Sequence, residues 1–301
     1  MEVCEICGGE EFRQVPAKER MFGLAGDFEY SECNNCKGLY LNTIPQNMGE
    51  YYPSNYYSFV GFNTSHGTRR WLKRLRFQLF KLGINPSPPM YFEWIKTLNA
   101  KANSKIADIG CGNGQLLEEL SYCGFKNLHG YDPFLVDDKS SDTVQLHKLN
   151  YYEIEEKYDV IMFHHAFEHI EHPAKIFEKL VDILNPNGVI LIRVPVTDSL
   201  VWKENGAYWY QLDAPRHVFI PNTKSMEILA DRFNLDLYNL TFDSFECQFW
   251  GTELYKRGKV SAGTIIEDEF SKEELDKFRK LSLEYNRKKI GDQACFYFRK
   301  R

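Results

Sequence analysis

No apolar run in the sequence approaches the roughly 20 residues that a membrane-spanning helix needs, and no basic segment leading into an apolar stretch follows Met1. A transmembrane span and a cleaved leader are not expected, and the expected location is cytoplasmic. A basic excess is missing as well: 37 Lys and Arg face 42 Asp and Glu, for a net charge of −5. Such a chain has no field to draw in a nucleic-acid backbone, so nucleic acid is not an expected partner. Internal repeats and low-complexity tracts are lacking too. What the sequence does hold is 43% hydrophobic and 15% aromatic residues over 301 positions, enough for one large core and a small satellite.

The eight cysteines form two unlike groups. Cys4, Cys7, Cys33 and Cys36 make two C-x-x-C pairs, whereas Cys111, Cys123, Cys247 and Cys295 are scattered and read as reduced core thiols. Two C-x-x-C knuckles offer four thiolates to a tetrahedral Zn2+, with Gly8 and Gly38 easing the turns. Residues 1–44 therefore read as a zinc ribbon, and four thiolates leave no open position for catalysis by the ion. Residues 45–88 read as an aromatic and basic connection, and residues 89–301 as the main domain.

Within that connection, YYPSNYYSF (51–59) has neither strand nor helix period; its aromatics glue the ribbon to the main domain or cover its site. The stretch RRWLKRLRFQLFKL (69–82) places Trp71, Leu72, Leu75, Leu79 and Leu82 near one helical face, with Arg69, Arg70, Lys73, Arg74 and Arg76 beside them. The expected outcome is a helix docked by its apolar stripe, its basic face solvated. Rest on an anionic membrane surface, or contact with a phosphorylated substrate, is the rarer use of such a pattern.

From about residue 90 strands and helices alternate. Strands are predicted near 105–109, 127–131, 144–147, 158–163 and 188–194, and helices near 89–100, 113–123 and 173–184. Alternation of this kind predicts a parallel sheet covered on both faces, with ligands bound outside the carboxyl ends of the strands. The loop there reads Gly110-Cys-Gly112-Asn-Gly114, one residue shorter than a dinucleotide fingerprint, and Asp108 precedes it. A carboxylate at that point opposes a pyrophosphate but suits an ammonium. At the next strand end, GYDP places Asp132 twenty residues past Gly112, where an acid can accept both hydrogen bonds of a ribose diol. The plainer alternatives are that Asp108 caps the following helix and that Asp132 only starts a turn before Pro133.

The motifs DIGCGNGQLL, GYDP, YDVIMFHHAFEHIEHP and LNPNGVILIRVP together resemble those of class I S-adenosylmethionine-dependent methyltransferases, over roughly residues 90–240. The resemblance implies an α/β, Rossmann-like, seven-stranded sheet and S-adenosylmethionine as cofactor. It implies that Asp108 to Gly114, including Gly110, Cys111 and Gly112, cradle the methionine and ribose, and that Asp132, followed by Pro133, takes the ribose hydroxyls. Leu149 and Asn150 would border the adenine, and Phe163, His164 and His165 would pass the methionine end. The histidines His165, His169 and His172 lack the H-E-x-x-H order and read as a helix-entry segment, not as a metal site.

Methyl transfer to a hydroxyl needs an aligned acceptor that loses a proton. In the segment after the fifth strand, His217 is the leading base and Arg216 the clamp for an anionic acceptor, with His164 or His165 as further bases; Trp209 or Tyr210 could stack on a ring. The alternative is that Arg216 and His217 only hold their loop in place. A ribbon ahead of such a domain, with this PRH segment, resembles bacterial methyltransferases of sugar, surface-polysaccharide and secondary-metabolite pathways. The expected acceptor is thus a hydroxyl of a carbohydrate or glycosylated small molecule, with an amine second. A nicotinamide dehydrogenase is disfavoured by the short loop and Asp108; a noncatalytic zinc-ribbon adaptor that only binds the cofactor is the surviving rival class.

Overall fold

Apolar residues fill successive positions of the central strands, as they must where both faces of a sheet are covered. In Tyr158–His164, Ile161 and Phe163 face one buried cluster while Val160 and Met162 face another. The computed structural model describes residues 2–53, 64–65, 67–84 and 87–301. The strands are β1 (Phe12–Lys18), β2 (Asp27–Cys33), β3 (Leu39–Leu41), β4 (Lys105–Ile109), β5 (Asn127–Tyr131), β6 (Lys139–Ser140), β7 (Val144–His147), β8 (Tyr158–His164), β9 (Leu184–Pro195), β10 (Phe219–Ile220), β11 (Leu235–Phe242) and β12 (Gln293–Lys300). The helices are α1 (Thr68–Lys81), α2 (Met90–Thr97), α3 (Gln115–Cys123), α4 (Pro173–Ile183), α5 (Leu200–Asn205), α6 (Thr223–Arg232), α7 (Cys247–Lys256), α8 (Ile266–Glu269) and α9 (Lys272–Arg287).

The main sheet runs β11-β12-β9-β8-β4-β5-β7-β6. Strands β7, β5, β4, β8 and β9 are parallel, and β12 lies antiparallel between β9 and β11. Among the described residues this sheet has eight strands, where the family resemblance implies seven. The extra one, β6, is a two-residue exposed edge strand antiparallel to β7, too short to show any period. The chain leaves β4 toward β5 on one side, while β8 joins β4 on the other. Loops at the carboxyl ends of β4 and β8 therefore diverge and open a crevice.

A second sheet, β1-β2-β3-β10, carries the cysteine knuckles. Its last strand comes from far along the chain: Phe219 and Ile220 pair with Tyr40 and Leu39. The loop before β10 is thereby clamped under the amino-terminal sheet. Tyr30 Oη donates to the His217 carbonyl at 2.8 Å, Leu41 N to the Val218 carbonyl at 2.9 Å, and Trp202 Nε1 to Glu32 at 3.1 Å.

Helix α1 differs from its predicted orientation. It docks through Phe77 and Phe80, which pack with Phe92 and Phe125, while Trp71, Leu72, Leu75 and Leu82 are exposed. The sequence carries apolar residues on two opposite faces of this helix, and the two phenylalanines meet the aromatic cluster of α2 and the α3–β5 turn. Of the aromatic stretch 51–59, residues 54–59 lie outside the described residues. No helix among the described residues is long and apolar enough to cross a membrane.

Candidate functional site

The crevice at the ends of β4, β5 and β8 is a cleft of about 770 Å3, within the size range of small-molecule sites. Its floor is the β4–α3 turn. Gly110 has φ +73°, and a Cβ there would sit 2.3 Å from that of Ala166, so only glycine lets this turn approach the loop after β8. Helix α3 is opened by Gly114, with Asn113 Oδ1 accepting from Gln115 N at 3.1 Å. Asp108 therefore does not cap it.

Asp108 lies beneath this turn, 3% exposed, and its Oδ1 finds no hydrogen-bond partner among the described residues. Burial, with the charge of Asp132 added, pushes its carboxyl up to about 8. An uncompensated acid at this depth invites a cation. Asp132 is pinned at the end of β5: its two oxygens accept from Gly112 N and Phe134 N, each at 2.9 Å. Each carboxylate oxygen retains a second lone pair, and Asp132 lines the cleft.

Gly110, Cys111, Gly112, Asp132, Pro133, Leu149, Asn150, His164 and His165 all line the cleft; Asp108, at the end of β4 beside its floor, Gly114 and Phe163 are not among the lining residues. Tyr52, Phe134, Tyr151, Tyr152 and His169 complete an aromatic surround. His164 packs on Trp94 with ring centroids 4.4 Å apart and planes tilted by 31°, and burial, together with Arg193 and His165, holds it well below the usual imidazole range. It is a neutral ring.

His165 follows β8 with φ +53°, a left-handed conformation that costs strain in a residue bearing a Cβ and recurs at functional sites. Its Nδ1 lies 3.3 Å from Glu168 Oε1. Glu168 is completely buried, and burial alone would raise its carboxyl; the hydrogen bond from His165 and the neighbouring His217 and His169 outweigh this and hold it at about 2. An ionised carboxylate can only accept, so this contact is satisfied with the His165 proton on Nδ1, which leaves the lone pair on Nε2. Glu168 escapes the sequence reading because FEHIEHP looks like a helix entry; the usable signal is an acid three residues after a histidine at a strand end.

Arg216 and His217 do not reach the cleft. Arg216 is 1% exposed; its guanidinium donates to both Asp213 oxygens at 2.6 and 2.9 Å, to Glu19 at 2.7 Å and to the Tyr51 carbonyl at 2.9 Å. The predicted anion clamp is thus occupied within the protein, because the amino-terminal sheet brings Glu19 over this loop. His217 Nδ1 donates to the Gln211 carbonyl at 2.8 Å, and burial first, then His169, pushes it down to about 4. Its Nε2 faces Glu168 at 3.8 Å. Trp209 is likewise buried, its Nε1 donating to Asp292 at 3.1 Å, and offers no stacking face.

Ligand atoms of Cys4, Cys7, Cys33 and Cys36 lie within 4.8 Å of one another, with Sγ separations of 3.6 Å (Cys4 to Cys36) and 3.5 Å (Cys7 to Cys33). A tetrahedron with Zn–S bonds of about 2.3 Å has edges of about 3.8 Å, so these residues could hold such an ion with little movement. The two knuckles share one pattern: Cys4 N donates to Gly9 O and Gly8 N to Cys4 O, as Cys33 N does to Gly38 O and Lys37 N to Cys33 O. Glu168, His169 and His217 form a second group within 4.8 Å. Its two imidazoles spend Nδ1 on the carbonyls of Arg216 and Gln211.

The chain is similar to several known proteins. A ubiquinone biosynthesis O-methyltransferase of Hydrogenovibrio crunogenus is 32% identical over 115 residues, covering 33% of this chain and 46% of that protein. Its namesake from Cupriavidus pinatubonensis is 28% identical over 119 residues, covering 35% and 46%. The chain spans about half the length of these curated relatives. Among solved structures, the cyclopropane synthase MmaA2 from Mycobacterium tuberculosis superposes with a TM-score of 0.44 at 16% identity, over 68% of this chain and 80% of that one. The methyltransferase-domain family model matches residues 68–240, more than half of the sequence and every strand from β4 to β10, and the chain belongs to that family.

Proposed function

We propose that the protein is an S-adenosylmethionine-dependent methyltransferase that modifies a hydroxyl of a small molecule. The observation that carries this reading is Asp108, a buried acid with an unpaired oxygen under a glycine turn, where the cofactor's ammonium supplies the missing charge. Asp132 would take the ribose hydroxyls, and Leu149 and Asn150 the adenine side, with Gly110, Cys111, Gly112 and Pro133 supplying the close backbone surface. The bound cofactor supplies an electrophilic methyl group. His165 Nε2 accepts the acceptor's proton, and the Glu168 carboxylate stabilises the resulting imidazolium and fixes the ring.

The names of the partial relatives favour oxygen over nitrogen as the methylated atom. Carbohydrate acceptors draw no support from those names. With Arg216 spent on Glu19 and Asp213, a nucleotide sugar also loses its anticipated anchor, while Tyr52, Tyr151, Tyr152 and Phe134 suit an aromatic or otherwise apolar acceptor. Residues 1–44 act as a zinc ribbon whose ion is structural, and 89–301 as the catalytic domain. The test is release of S-adenosylhomocysteine with aromatic hydroxyl compounds and with glycosides, alongside calorimetric binding of the cofactor. Absence of cofactor binding refutes the reading, and binding without turnover on any acceptor class returns the adaptor alternative.

A further inference from the structure

Helix α1 has two apolar faces, and only one of them is used. At 3.6 residues per turn, Phe77 and Phe80 lie on the docked side, while Trp71, Leu72, Leu75, Leu79 and Leu82 gather on the opposite side. Trp71 is 62% exposed, Leu72 54% and Leu82 72%, and Ile84 just beyond the helix is 61% exposed. Arg69 and Arg76 border this outer stripe along one flank, and Arg74 and Lys81 along the other. The sequence has no Asp or Glu between Glu50 and Glu93, in a chain whose net charge is −5. Among the described residues Arg69 and Arg74 form no ion pair; Lys73, on the docked side, pairs with Glu119 of α3.

We propose that α1 is an interfacial helix that lays its outer stripe into an anionic lipid surface, with the arginine flanks at the headgroups. An exposed leucine and tryptophan stripe edged by cations is the pattern of helices that lie in the plane of a bilayer surface. Charge decides against a second copy of the chain: a two-fold contact across this stripe would set arginines against arginines with no acid on the face to pair them. The docked face fixes α1 to α3 through Lys73 and Glu119, and to Phe92 and Phe125 through Phe77, so the stripe is presented on a folded support.

The test is co-sedimentation of the full chain with phosphatidylcholine vesicles, with and without phosphatidylglycerol at about 30 mol%. Binding is expected only with the anionic lipid and weakens as salt rises. Leu72→Glu with Leu75→Glu should lower partitioning at least about tenfold, and Arg69→Gln or Arg74→Gln each by about fivefold. All four positions are exposed, so thermal melting of these variants should match the parent. Equal binding to neutral vesicles, no binding to either, or binding unchanged in the double Glu variant overturns the proposal. So does a dimer in sedimentation velocity that the double Glu variant dissolves while vesicle binding is absent.

Discussion

On the proposed role of Asp108, raising the pH from 6 to 7 strips protons from a buried carboxyl whose charged form would meet the cofactor's ammonium. With the unliganded Asp108 at about 8, roughly 1% is ionised at pH 6 and roughly 9% at pH 7, so cofactor affinity should climb about tenfold, or ~1.4 kcal/mol. Above about pH 8 the ligand's own α-amino group loses its proton, and the profile should turn over there. Calorimetry at pH 6.5 with S-adenosylhomocysteine, in two buffers of different ionisation heat, should report release of about one proton. Asp108→Asn should flatten the slope and weaken binding. Asp132→Asn should move the rise to lower pH, since the Asp132 charge adds to the effect of burial. The sign for stability follows: an acid raised in the fold holds its proton while the unfolded chain has lost it, so its contribution falls as pH climbs from about 4 to about 8. Unliganded Asp108→Asn should therefore gain on the parent across that window. An affinity flat between pH 6 and 7, or equal heats in both buffers, would refute the assignment of Asp108 to the ammonium.

Replacing His165 by Ala should cut turnover by roughly 10²–10⁴ with cofactor affinity kept, whereas His217→Ala should lower the melting temperature and leave the pH profile of the remaining activity unchanged; the reverse pattern would return the base to His217. Arg216→Met strands Glu19 and Asp213 without their cation and should cost about 3–5 kcal/mol in denaturant unfolding. Metal analysis should find one Zn2+ per chain, lost in Cys33→Ser, with cofactor binding largely retained. Gly110→Ala should abolish cofactor binding, because its methyl group would meet Ala166 at 2.3 Å; unchanged calorimetry would mean that the turn yields more readily than its geometry suggests.

The central strands were legible because an apolar run such as Ile106-Ala107 or Val160 to Phe163, bounded by turn residues, has few other uses in a chain of this composition. The glycine turn and its two acids were legible because chemistry constrains their order along one crossover. The differences at Arg216, His217 and α1 share one cause, contacts made between segments distant in sequence, whereas β6 is too short and the Glu168 segment too much like a helix entry to be read locally. Nothing local to PRH announces that Leu39–Leu41 will pair with Phe219–Ile220, and that pairing turns Arg216 from a clamp into a buried strut. For α1, the period is correct for both faces. Only the aromatic cluster around Phe92 and Phe125 selects Phe77 and Phe80 over the leucines.

The β3–β10 pairing also sets a timetable for synthesis. Strand β3 emerges with its outer edge open, and the strand that closes it lies at Phe219–Ile220, roughly 10 to 35 seconds later at ordinary elongation rates. Through that interval Leu39 and Leu41 line an unpaired edge of the kind that recruits foreign strands. The amino-terminal sheet therefore has to finish folding after most of the larger sheet has left the ribosome, and truncation before residue 219 should leave chains that aggregate through that edge.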